Sequence, residues 1–121
     1  MRIVIPGKPQ GKARPRFSAA GGKVRTYTPQ KTKDYEELIA WEYKRQGGLK
    51  YSGEIELTIY ADFTADPKRK PDADNIAKVV MDALNGVAYA DDAQVTLLTV
   101  KKKQSKEERL IITVDGDKII R

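Results

Sequence analysis

The chain has no cysteine and no histidine. Without cysteine, neither a disulfide framework nor a thiolate metal site can form, a composition that suits a reducing compartment. Without histidine there is no imidazole ligand, and the commonest general base near neutral pH is missing. Catalysis would then rest on carboxylates, lysine, hydroxyls and hard metal ions. No apolar run approaches the roughly 20 residues that a bilayer span requires, and the apolar stretch in residues 1–6 is too short for a secretory signal. A cytoplasmic protein without a membrane partner is expected. Acidic residues are missing from residues 1–33, where Arg2, Lys8, Lys12, Arg14, Arg16, Lys23, Arg25, Lys31 and Lys33 all fall.

That one-sign block, in a chain whose net charge is +6, points to a polyanionic partner. A solvated, solubilising terminus is the plain alternative. On charge alone Lys8, Lys12, Arg14 and Arg16 are the candidates for contact with nucleic-acid phosphates.

The length of 121 residues suits one domain spanning residues 1–121, which buries roughly two thirds of the surface of its unfolded chain. Residues 2–5 read as a short strand stopped by Pro6, residues 7–23 as an exposed loop, and residues 24–27 as a returning strand. Thr28 as cap and Pro29 at the first helical position open a helix that Gly47-Gly48 closes, and Tyr35, Leu38, Ile39, Trp41 and Tyr43 lie on it. Residues 55–63 alternate apolar and polar with the period of a strand that buries one face. In residues 74–84 the stripe Ile76, Val79, Val80, Ala83 and Leu84 is helical, closed by Asn85-Gly86. Residues 95–103 and 110–114 then form a hairpin turning at 104–108. The order predicts an α+β fold: a small mixed sheet with two helices packed on one face.

The chemistry concentrates in Lys70-Pro71-Asp72-Ala73-Asp74-Asn75-Ile76-Ala77-Lys78. Two carboxylates one residue apart at a strand-to-helix junction can converge on a hard divalent cation, because Mg²⁺ takes oxygen ligands and seldom more than two carboxylates. Asp74, Lys78 and Asp82 follow at four-residue steps and share one helix face. The bland readings are that Asp72 or Asp74 caps the helix and that Asp74 pairs with Lys78. A second pair, Asp91-Asp92, precedes the next strand and equally suits turn chemistry. To bring Asp92 near Asp72 the chain must double back along a helix roughly 16 Å long, in about seven residues, or a second subunit must supply one element. Clustered aspartates would raise one another's pKa values unless a cation neutralised them, and Lys78 could then stabilise charge on a reacting phosphate.

The string Asp72-x-Asp74-Asn75-x-x-Lys78, then Asp82-Ala83-Leu84, then Asp91-Asp92-Ala93-Gln94-Val95, resembles the signature of RusA-type Holliday-junction resolvases, small homodimeric endonucleases often encoded by prophages. Gly7-Lys8-Pro9, Arg14-Pro15-Arg16-Phe17 and Tyr27-Thr28-Pro29 are also similar to branches of that family. The resemblance implies a RusA-like endonuclease domain, paired hydrolysis of phosphodiester bonds in four-way junctions during recombination and repair, and a homodimer. It implies Mg²⁺ or Mn²⁺ as cofactor, Asp72, Asp74 and Asp92 as metal-binding catalytic carboxylates with Asp91 as a further ligand, and Lys78 as the essential lysine. Two rivals stand beside it. A restriction-type nuclease would need an acid-x-Lys after Pro71-Asp72, which the sequence lacks. A non-catalytic nucleic-acid-binding protein would grip phosphates with the basic loop and use the acids only as caps.

Overall fold

The computed structural model describes residues 1–22 and 24–121, with the side chains of Arg16, Ser18 and Ala20 left aside. Lys23 and the side chain of Arg16, both counted in the basic block, therefore lie outside the described residues.

The longest strongly alternating segment takes the centre. Strand β4 (Ile55–Phe63) buries Ile55, Leu57, Ile59, Ala61 and Phe63. It pairs antiparallel with β6 (Arg109–Gly116) on one side and parallel with β5 (Val95–Gln104) on the other, and β1 (Arg2–Pro6) extends the sheet beyond β6 to give the order β1-β6-β4-β5. A separate ribbon joins β2 (Arg16–Ser18) to β3 (Arg25–Tyr27), with Arg16 opposite Tyr27. Helices α1 (Gln30–Arg45) and α2 (Ala73–Leu84) contact each other and the sheet. Tyr35, Ile39 and Tyr43 from α1, and Ile76, Val79, Val80 and Leu84 from α2, complete the core. This is the predicted α+β architecture. Each fully buried Ile or Leu contributes roughly 1.5–3 kcal/mol by leaving water.

The expected hairpin of the last two strands does not form. β5 and β6 lie on opposite sides of β4, and residues 105–108 carry the chain around the end of β4. Ser105 N–H donates to the Phe63 carbonyl at 2.8 Å, and Gln104 Nε2 donates to the Thr64 carbonyl at 3.1 Å. The cause is burial. β6 has Leu110, Ile112 and Val114 to place in the core, whereas most of β5 stays exposed, so β6 belongs inside and β5 at the edge.

Three further expectations are corrected. Thr28 does not cap α1: the helix begins one residue later than expected, with Pro29 as its N-cap and no side-chain cap bond. Residues 7–23 are not simply an exposed loop, because Pro9 is buried and the chain is tied down by two bonds. Lys12 N–H donates to the Asn75 carbonyl at 2.9 Å and Ala13 N–H to Thr32 Oγ1 at 3.4 Å. Asp62, assigned by alternation to solvent, is fully buried, with Arg109 at 3.0 Å and Lys103 at 3.6 Å from its oxygens. A carboxylate is tolerated there because neighbouring strands bring a cation to either side of it.

Candidate active site

Helix α2 carries the site's acids at its two ends, and the ends differ. Its apolar stripe is buried against α1 and the sheet, leaving Asp74, Lys78 and Asp82 exposed along the outer face. Asp72 has the extended backbone of an N-cap, yet its carboxylate makes no capping bond. It meets Lys70 Nζ at 2.5 Å instead. The hydrogen bond from Lys70 holds the Asp72 carboxyl below its ordinary pKa, and the charge of Lys102 adds to the effect. Lys102 reaches this end from β5, where its ammonium donates to the Arg69 carbonyl at 2.8 Å. The capping role open to Asp72 is therefore not taken up. Nor is the alternative ion pair between Asp74 and Lys78 formed: among the described residues neither is in a salt bridge.

The other end is crowded with like charge. Asp91 caps the short 3-10 turn Asp92–Gln94, accepting from Ala93 N–H at 3.1 Å in a capping box with Gln94. Gln94 fastens the loop in both directions: its Oε1 accepts from Ala90 N–H and Asp91 N–H, while its Nε2 donates to the carbonyls of Tyr51 and Gly53, both at 2.9 Å. Asp92 follows with no such duty. The hydrogen bond to Asp91, then desolvation and the charges of Asp91 and Asp82, raise its pKa. Tyr89 beneath is pushed up by burial and then by the charges of Asp92 and Asp82. Its hydroxyl donates to the Met81 carbonyl at 2.7 Å.

Ten residues of helix separate Asp72 from Asp82, about 15 Å at 1.5 Å per residue. One chain thus gathers Asp82, Asp91 and Asp92 at one end and Asp72 with Asp74 at the other, and does not bring the two sets together. Among the described residues no group of three or more acids is placed to hold a metal ion.

The basic candidates also separate. Lys8 and Arg14 are exposed. Lys12 points inward to Glu36 at 2.8 Å and Asp82 at 3.0 Å. Burial opposes its charge, but hydrogen bonds to those two carboxylates overcome this and raise its pKa. Lys12 pins the loop to both helices. Sequence reading overlooked Lys70, Lys102 and Gln94 as contributors to the two ends. Lys70 stands in the motif itself, and strand alternation in Lys101-Lys102-Lys103 puts the middle lysine on the helix-covered face, opposite Ala61. Gln94 gave the signal of a capping box, an acid followed three residues later by Gln.

Fold and site describe a small basic α+β protein that offers hard oxygen donors and lysines, with no imidazole or thiolate. Comparison with known families matches residues 6–115 to Endodeoxyribonuclease RusA. The chain belongs to the RusA endodeoxyribonuclease family, whose members are nucleases of junction DNA. It is also similar to the uncharacterized protein YqaN of Bacillus subtilis (strain 168), at 29% identity over 134 aligned positions covering 94% of each chain. Among the described residues no helix is long and apolar enough to cross a membrane.

Proposed function

We propose that this protein is a divalent-cation-dependent endodeoxyribonuclease that resolves Holliday junctions by paired phosphodiester hydrolysis, in recombination and repair, and acts as a cytoplasmic homodimer. Besides family membership, the observation that supports this best is the Asp72 carboxylate, which stands at a helix N-cap, caps nothing and faces lysines. A carboxylate kept ionised by an exposed lysine and not used as a cap is available to a metal.

The donor set fits Mg²⁺ or Mn²⁺, since every candidate ligand atom is a carboxylate oxygen. A single chain splits that set between the ends of α2. A two-fold axis crossing the helix near Lys78 would set the Asp72 and Asp74 end of one protomer against the partner's Asp92, and would do so twice. Asp72, Asp74 and Asp92 are then the ligands, with Asp91 contributing its remaining oxygen. Like charges that raise the pKa of Asp92 in the lone chain become favourable once a cation neutralises them. The bound ion supplies an activated water and offsets negative charge on the phosphate. Lys78, exposed on the same face and in no salt bridge among the described residues, holds the phosphate and stabilises the charge that develops on it. Exposed Lys8 and Arg14 contact backbone phosphates of the junction, and Arg16 is assigned with them on charge alone. Two equivalent sites suit a four-way junction, which presents two equivalent strands.

A second reading, a junction-binding protein that does not cut, is favoured by the separation of the acids within one chain. Incubation with a synthetic four-way junction distinguishes them. The nuclease gives paired, symmetric nicks with Mg²⁺ and none with chelator. Junction binding without cutting in either Mg²⁺ or Mn²⁺ would establish the second reading.

A further inference from the structure

Beside the Asp72 end lies a pocket of about 410 Å³ between the N-terminal loop and the start of α2. Its rim carries Lys8, Lys31 and Lys70, its walls include Pro9, Pro29 and Pro71, and among the described residues no acid lines it. The volume falls within the range of small-ligand sites. We propose that this pocket receives one nucleotide of the strand being cut, its base lying against the proline faces and its phosphate among the lysines.

The pocket is built before any ligand arrives. Its wall is the N-terminal loop, laid across the start of α2 and held there by the Lys12 to Asn75 backbone bond and the Ala13 to Thr32 bond. The approach is so close at Gly11 that an added Cβ would stand 2.8 Å from the Pro71 Cβ and 3.0 Å from that of Asn75. Glycine lets the loop come down and close the wall. Rigid proline rings and the small Ala13 give a lining that loses little conformational entropy when covered. A base, apolar on its faces and polar on its edges, suits such a lining better than a bare anion does, while the lysine rim selects for the attached phosphate.

Lys70 ties this pocket to the chemistry. It lines the rim and also meets Asp72 at 2.5 Å, with only Pro71 between them in sequence. A strand whose scissile phosphate lies at Asp72 therefore passes its neighbouring nucleotide over Lys70 into the pocket. Unpaired and unstacked nucleotides are more accessible at a branch point than in a duplex, and extrusion costs least where stacking is already broken. The pocket then favours branch points and discriminates among bases there. This assignment rests on the nuclease reading above for the strand's direction, but the binding itself can be measured separately.

The test is a titration of the whole protein with a 5′-phosphorylated thymidine dinucleotide, followed by amide ¹H–¹⁵N shifts. Saturable shifts are expected at Lys8, Gly11, Ala13, Lys31 and Thr32. Unphosphorylated thymidine and inorganic phosphate should each bind at least tenfold more weakly. Ala13→Phe, which fills the pocket, and the double variant Lys8→Ser with Lys31→Ser, which changes only exposed rim residues, should each weaken the dinucleotide at least tenfold. Absence of shifts at these amides, equal binding of phosphate alone, or undiminished binding by the double variant would overturn the proposal. A protein that cuts junctions but fails this titration retains the nuclease reading and loses the pocket. One that binds the dinucleotide but never cuts with metal does the reverse.

Discussion

The two ends of α2 carry the same functional group in opposite electrostatic settings. Asp72 is surrounded by lysines and its pKa is lowered, whereas Asp92 is surrounded by carboxylates and its pKa is raised. Lysines stand beside the carboxylate at one end, whereas at the other Lys12 answers Asp82 and no cation pairs with Asp91 or Asp92 among the described residues. Among the described residues neither end alone gathers three acids placed to hold a metal ion. The proposed dimer would join the two ends across two protomers.

The largest effect should come from breaking either end. Asp72→Asn or Asp74→Asn, and separately Asp92→Asn, should each lower metal-dependent cutting by more than about 100-fold, the upper range for residues that merely support metal ligands. Junction affinity measured by anisotropy should persist or tighten. Loss of folding together with binding, read by circular dichroism, would instead make these aspartates structural.

A smaller contrast separates the basic residues on the loop. Removing Lys8 and Arg14 together should reduce the slope of log affinity against log salt by about two, one for each phosphate contact. Lys12→Ser should leave the slope nearly unchanged, because that ammonium is occupied by Glu36 and Asp82. An equal change in slope from Lys12→Ser would show that it leaves those partners for DNA.

Stability should divide the ends as well. Gln94→Leu leaves backbone groups of the Asp91-Asp92 loop unpaired and should cost about 1–3 kcal/mol in urea unfolding. Lys70→Ala, at an exposed and solvent-screened pair, should cost much less. Similar losses at both sites would mean that the loop is not held by Gln94.

The smallest effect is the pH response in the absence of metal. The lowered Asp72 contributes stability above its unfolded pKa, and this is lost as pH falls through its folded value. The raised Asp92 does the opposite: its repulsion is relieved as pH falls through its folded value, and the relief is complete below the unfolded pKa. Carboxyl ¹³C titration should place the two on opposite sides of 3.8, the ordinary value for Asp. Two titrations on the same side would remove the contrast.

Much of this was readable in the residues because single segments dictated it. The alternation of residues 55–63 and the stripe of residues 74–84 each identify a face, and the motif spacing singles out the acids as candidates. What could not be read depends on competition between segments. The neighbours of β4 were decided by which strand had more apolar surface to bury, so β6 displaced β5 from the pairing that sequence proximity suggested. Lys12 was indistinguishable from Lys8 in a one-sign block until α1 and α2 presented Glu36 and Asp82 to it. The separation of the aspartates followed from the length of α2 and the path of the loop behind it, and the Asp91-Asp92 motif fixes neither.

A mixing experiment tests the composite site directly. In a heterodimer of Asp72→Asn with Asp92→Asn, one site would carry both substitutions and the other neither, so two inactive preparations should regain metal-dependent cutting when mixed, as single nicks and not paired ones. If each chain builds its own site, every site in the mixture is damaged. Heterodimers that form, bind the junction and still do not nick it would contradict the account.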